Sequence, residues 1–179
     1  MNNIGKDPQD RSIGEYWEDC FCEIANRYGW EAWPFQRKRG ANFEYEGTRF
    51  ICPDVWILKR EHKQYACEIK HKNQTRGGCY GFEEYRANSL LKLEQEYSNQ
   101  FGNVIALYVV HNWARAGGKH RKENREDDWH AQTLKICEDT KKTGWSKTLY
   151  NGKVTLEPVK IHYYINPWRN FKPLRFFLE

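Results

Sequence analysis

The sequence predicts an α/β fold. Three observations point to it: an amphipathic helical pattern near the start, two β-rich segments joined by a short polar stretch, and a long second helical pattern followed by a nearly unbroken apolar run. Residues 1–11 are polar, and no regular structure is expected there. Apolar side chains then recur at Ile13, Tyr16, Trp17, Cys20, Phe21, Ile24, Ala25 and Tyr28, the i, i+3, i+4 spacing of one helix face. Ser12 is the expected N-cap, Glu15 its capping-box partner, and Gly29 the C-terminal stop.

Strands are expected at 31–36 and 43–49, where aromatics mix with glycine and charge. Residues 50–59 (FICPDVWILK) are rich in β-formers, and 64–70 (QYACEIK) alternate as a half-buried strand does. With 60–63 as a polar turn, the two read as a hairpin. A double-glycine loop at 75–78 leads into a helix over 82–101, with Phe82, Tyr85, Leu90, Leu93, Tyr97 and Phe101 on one broad face and Gly102 ending it. The run 103–111 (NVIALYVVH) has the pattern of a strand buried on both faces. Residues 112–128 are charged and glycine-rich, so a loop is expected, then a short helix over 130–141. Strands at 147–150 and 153–165 flank Asn151-Gly152, a strong hairpin-turn pair. The aromatic, basic tail 167–179 has no assigned element, and packing against the core or a second copy is favoured for it over DNA contact.

At 179 residues, 39% hydrophobic, the chain is expected to form a single domain. Its eight Trp and eleven Tyr make part of the core, or of a binding surface, out of large flat rings. No apolar run reaches the roughly 20 residues of a membrane span, and the first residues, MNNIGK, have no signal-peptide core, so a cytoplasmic protein is expected. Six cysteines without a CxxC pair then read as reduced, small apolar residues. The net charge of +5 permits a polyanionic partner without demanding one.

The chemistry lies in the hairpin. Glu68 and Lys70 are two apart on a strand and share a face, while Tyr65, Cys67 and Ile69 occupy the other. Asp54, just after Pro53, precedes Glu68 by fourteen residues, and one fold-back brings them together. Converging carboxylates repel unless one is protonated or a cation lies between them. One or two carboxylates plus waters suit Mg²⁺. A neighbouring lysine can then serve an attacking water or stabilise charge on a phosphate. Either motif alone is an ordinary strand or turn pattern; their setting gives them weight.

Pro53-Asp54 and Glu68-Ile69-Lys70 in this setting resemble the PD-(D/E)xK nuclease superfamily, with the archaeal Holliday-junction resolvases as the nearest echo. The parallel runs through Glu18, Gly29-Trp30, Pro53-Asp54 and Glu68-Ile69-Lys70-His71-Lys72, over about residues 12–111. The resemblance implies a restriction-endonuclease-like core, a central mixed β-sheet flanked by helices in α-β-β-β-α-β order, here with a C-terminal β-hairpin elaboration. It implies one or two Mg²⁺ ions (Mn²⁺ as a substitute) and phosphodiester hydrolysis. Asp54 and Glu68 would share the metal, the Ile69 carbonyl would add a ligand, and Lys70 would serve the attacking water. For the acid on the first helix, Glu18 borders the apolar stripe, about 20° beyond Ala25, and is favoured over Glu23 and Glu15. His71 is expected to point away.

Nucleic-acid contacts are expected from Arg37, Lys38 and Arg39, from Lys72 and Arg76 after the catalytic strand, and from Lys119, Arg121 and Lys122 in the basic loop. The expected function is a Mg²⁺-dependent endonuclease on duplex or branched DNA, working as a homodimer because two strands are most simply cut by two sites. A catalytically inactive nucleic-acid-binding module of the same fold is the alternative.

Overall fold

The computed structural model describes residues 8–35, 42–59, 63–71, 79–112, 124–147 and 160–179. In chain order its elements are α1 (Pro8–Arg27), β1 (Glu31–Pro34), β2 (Asn42–Tyr45), β3 (Thr48–Ile51), β4 (Val55–Lys59), β5 (Lys63–His71) and β6 (Cys79–Glu83). There follow α2 (Glu84–Phe101), β7 (Val104–His111), β8 (Trp129–Thr133), α3 (Leu134–Thr140), β9 (Lys142–Lys147), β10 (Lys160–Pro167), β11 (Lys172–Pro173) and α4 (Arg175–Leu178).

Six strands form a mixed central sheet in the order β1-β4-β5-β7-β8-β11. Only β5 and β7 pair in parallel, and α2 is the crossover between them. β4 and β5 make the expected hairpin, with Lys59 opposite Lys63. The chain carries more strands than the α-β-β-β-α-β order expected: the hairpin β2–β3 stands between β1 and β4, and β6 precedes α2. β6, β10 and β9 form a second, three-stranded sheet.

Strand alternation gives the central sheet two different faces. One carries Tyr65, Cys67, Ile69, Leu107 and Val109, which pack with Trp17, Phe21 and Ile24 of α1 and with Leu174, Phe177 and Leu178 of the tail. The other carries Ala66, Ala106, Tyr108 and Val110, which pack with Ala87, Leu90 and Leu93 of α2.

Several expectations need correction. α1 begins at Pro8, so Ser12 lies inside the helix and cannot be its N-cap; proline suits the first helical turn because its missing N–H has no partner there. Gly29 does end the helix, at φ 78°, with Trp30 N–H donating to the Ala25 carbonyl at 3.1 Å. The single strand expected over 50–59 is two: β3 and β4 are separated by Cys52-Pro53-Asp54. β3 instead pairs with β2 around Glu46-Gly47, where φ values of 47° and 74° suit a tight hairpin turn. The helix expected over 82–101 begins at Glu84, because 79–83 pair with β10. Tyr85, expected on the inner face, is out of phase with Leu90 and Leu93 and lies outside, 60% exposed. The helix expected over 130–141 is half strand: 129–133 pair with β7, and Thr133 then caps α3. β9 and β10 pair as a hairpin, but earlier and later in the chain than expected, and Asn151-Gly152 lies outside the described residues. The tail packs on the core: Trp30 Nε1–H donates to the Leu178 carbonyl at 2.7 Å and Tyr65 O–H to the Phe177 carbonyl at 3.2 Å. Cys20, Cys22, Cys52, Cys67 and Cys137 are buried free thiols. Among the described residues no helix is long and apolar enough to cross a membrane.

Candidate active site

Asp54 sits where the chain leaves the β2–β3 hairpin and enters β4. Pro53 has no N–H to extend β4 backwards. Asp54 N–H instead donates to the Cys67 carbonyl at 3.0 Å, which seats the residue beside β5. Its side chain then reaches along β5, and Oδ2 accepts from Ile69 N–H at 2.8 Å. That bond fixes the carboxylate beside Glu68, the next residue back on the strand.

Glu68 projects from the α2 face of β5 and is fully buried. Lys70, two residues on, shares the face, and its Nζ stands 2.5 Å from Glu68 Oε1. A buried carboxylate needs compensating charge, and a second cation supplies it. Arg86, in the first turns of α2, places Nη2 at 2.6 Å from Glu68 Oε2 and 3.1 Å from Asp54 Oδ1. Glu83, the residue before α2, adds a third carboxylate 3.7 Å from Lys70 Nζ. The site is thus three acids and two bases held between β4, β5 and the start of α2.

The electrostatics separate the two central acids. Burial and the neighbouring Glu68 push the Asp54 carboxyl up to about 6, against the pull of Lys70, Arg86 and the Ile69 amide. Burial also works against ionised Glu68, but Lys70 and Arg86 outweigh it and hold its carboxyl below the usual range. Burial disfavours charge on Lys70 and Arg86 too, yet Glu68 and Asp54 raise both above their ordinary values. Lys70 therefore keeps its proton: beside these acids it is a donor and a positive charge.

Sequence reasoning brought Asp54, Glu68, Ile69 and Lys70 together, and the structure places them in contact. It missed Arg86 and Glu83. Arg86 had a signal: it stands four residues before Leu90 and seven before Leu93, on the stripe that faces the sheet. A charge in that position is expected to meet a buried partner. Glu18 is half-buried on α1, the helix that covers the other face of the sheet. His71 also points to that other face, where it stacks on Trp17 with centroids 4.6 Å apart. Arg37, Lys38, Arg39, Lys72, Arg76, Lys119, Arg121 and Lys122 all lie outside the described residues.

Among the described residues no three His, Cys, Asp or Glu side chains form a ready-made metal cage. The donors that are present fit a hard divalent ion nonetheless. One nitrogen of Arg86 touches an oxygen of each acid, so a single cation can be shared by both. Mg²⁺ is commonly held by only one or two carboxylates, with water completing its shell. In an extended strand a residue's N–H and C=O leave by the same edge, so the Ile69 carbonyl is directed to the Asp54 side as its N–H is.

No protein-family profile matches the chain, and no curated protein matches it. Among solved structures, it is similar to Hjc, a Holliday junction resolvase from Archaeoglobus fulgidus, at 12% sequence identity. That likeness has a TM-score of 0.41 and covers 67% of this chain and 75% of the resolvase.

Proposed function

We propose that the protein is a divalent-metal-dependent nuclease that hydrolyses phosphodiester bonds in DNA, duplex or branched. The observation that carries this reading is the convergence of Asp54 and Glu68 on one cation position with Lys70 beside them. Asp54, Glu68 and the Ile69 carbonyl would hold Mg²⁺, with Mn²⁺ as a substitute. When bound, the ion supplies Lewis-acid stabilisation of the phosphate and a more acidic water.

The chain's own residues have distinct roles. Asp54 is oriented by the Ile69 amide, so its second oxygen faces the shared position. Lys70, held protonated, directs a hydrogen bond to the attacking water and offsets negative charge growing on the phosphate. Arg86 balances the two acids; with an ion held there, its guanidinium would be available to a phosphate oxygen. Glu18 would contribute through water or a second ion. Cutting both strands is most simply done by a homodimer.

A second reading has a specific observation behind it. Arg86 already occupies the cation position. If it never yields, the protein is a nucleic-acid-binding module with a saturated, inactive site.

One experiment separates the two. Supercoiled plasmid and synthetic four-way junctions are incubated with wild-type protein or Lys70→Ala, in Mg²⁺ or EDTA. The nuclease reading expects cleavage that needs both Mg²⁺ and Lys70. Binding without cleavage under Mg²⁺ or Mn²⁺ overturns it in favour of the module.

A further inference from the structure

On the same sheet face as Glu68, the β2–β3 hairpin leans over β4 and α2. Five rings meet there in a chain: Phe43, Phe35, Trp56, Tyr97 and Tyr45. Each touches the next, with centroids 5.4 to 5.5 Å apart. With Trp33 and Gln64 they line a half-open cavity of about 310 Å³. The space between these rings is open to solvent on one side, so a planar group can enter it and lie against a ring. The volume is at the low end for small-ligand pockets, roughly 300–1,000 Å³, room for one planar ring system rather than for a peptide or a lipid chain.

The chemistry of the lining narrows the choice. Among the described residues no charged side chain lines the cavity, so a neutral, flat, aromatic group suits it. Gln64 supplies an amide whose oxygen accepts from Trp56 Nε1–H at 3.0 Å, which fixes its plane. Trp33 lies opposite Trp56 in the β1–β4 pairing and is 40% exposed, a ring face available at the mouth.

Position completes the case. Phe35 N–H donates to the Asp54 carbonyl at 3.0 Å, so the cavity wall and the catalytic acid share a backbone bond. Gln64 and Glu68 face the same way on β5, four residues and about 13 Å apart. That is within reach of a nucleotide close to the scissile phosphate.

We infer that this cavity is a nucleobase pocket: it takes one unpaired base by stacking while the strand's phosphate lies at Asp54 and Glu68. The inference rests on the nuclease reading for its substrate class, and it makes single-stranded or branched nucleic acid the preferred form. Stacking on aromatic rings is sequence-tolerant, so no base preference is expected.

The test uses full-length protein in EDTA, so that nothing is cut, and oligonucleotides carrying 2-aminopurine at one position. In one set that position is unpaired, in a gap or at a branch; in the other it is fully paired. The expected result is quenching on binding for the unpaired set alone. Trp33→Ala and Tyr97→Ala should weaken binding of that set by about tenfold and the paired set by less than about twofold. Trp33→Phe, which keeps a ring, should restore most of the affinity, and equal melting temperatures show that folding is intact. Equal weakening of both sets, or of neither, overturns the pocket. Plasmid cleavage in Mg²⁺ by the same preparations separates the two ideas. Cleavage with no base-dependent effect sinks the pocket alone, and the expected binding pattern without cleavage sinks the nuclease alone. Neither binding nor cleavage sinks both.

Discussion

The two faces of the central sheet are built from the same strands and serve opposite ends. On the α1 face, β5 and β7 end in His71 and His111, whose Nδ1 atoms are 2.8 Å apart. Trp17 stacks on both, at 4.6 and 3.7 Å between centroids. These are rings against rings, and burial, with the neighbouring His71, pushes His111 down to about 3, so His111 stays uncharged. On the α2 face of β5 stand Lys70, one residue before His71, and Glu68, with no exposure; Lys70 and Arg86 both pair with Glu68, and Arg86 also with Asp54. One face keeps His111 buried and uncharged; the other keeps buried charges ionised by pairing them. The second arrangement is the costlier route to the same burial, which is why the chemistry is sought there.

That contrast is broken most directly at Glu68. Glu68→Gln removes the acid that both bases share, and plasmid cleavage should fall by at least about a thousandfold. Stability should fall as well, by about 1–3 kcal/mol in urea denaturation, because Lys70 and Arg86 lose the buried carboxylate they share and keep only Glu83 and Asp54. Retained cleavage would show that the charged face is only structural. Trp17→Ala is the counterpart on the other face. It should cost about 3–5 kcal/mol of stability while cleavage per folded molecule stays within about twofold. A larger loss of cleavage would mean that the α1 face reaches into the chemistry.

The faces should also respond to acid with opposite signs. His111 has a folded pKa of about 3 against an ordinary 6.5. Its stabilising contribution is therefore complete above pH 6.5 and is lost as pH falls toward about 3. Asp54 runs the other way. With its carboxyl raised from 3.8 to about 6, its contribution is present below pH 3.8 and is lost as pH rises through about 6. His111→Phe, which keeps the stack on Trp17, should flatten the loss of stability between about pH 7 and 5. Asp54→Asn should steepen it, while leaving the protein at least as stable as wild type at neutral pH, although inactive. Unfolding curves at several pH values read both slopes, and parallel slopes in the two variants would refute the difference in sign.

The sequence shows one face far better than the other. The α1 face was legible because it needs only periodicity: Trp17, Phe21 and Ile24 recur at helical spacing, and Tyr65, Cys67 and Ile69 alternate. On the α2 face the hairpin geometry placed Asp54 beside Glu68, since register follows from strand spacing. Arg86 was legible by phase and was missed. At helical spacing Arg86 shares the stripe of Leu90 and Leu93 and Tyr85 does not, and Tyr85 is exposed; counting Tyr85 on the inner face displaced Arg86 from it. The ring-lined cavity was hidden. Its walls come from β1, β2, β4, β5 and α2, and only tertiary folding brings Phe43 and Tyr97 to one place. A continuous run of β-formers over 50–59 also masked the break at Pro53 that lets the β2–β3 hairpin swing over that face.

The smallest expected effect belongs to Glu18, and it bears on where the two faces meet. Glu18 is half-buried on α1, one residue from Trp17, which lies flat on His71 at the end of β5. The sheet therefore stands between α1 and the acids of the other face. A carboxylate in that position can influence the proposed catalytic centre only around the strand end, through water or a second ion, and not as a direct partner of Asp54. Glu18→Gln should accordingly lower cleavage by less than about tenfold, well short of the loss in Glu68→Gln. Its effect should grow when Mg²⁺ is limiting, because an outer ligand matters most where ion occupancy is incomplete. Titrating Mg²⁺ in cleavage assays of wild type and Glu18→Gln checks this. A loss as deep as that of Glu68→Gln, unrelieved by saturating Mg²⁺, would place Glu18 in direct contact with the ion and would require α1 to reach past the end of β5.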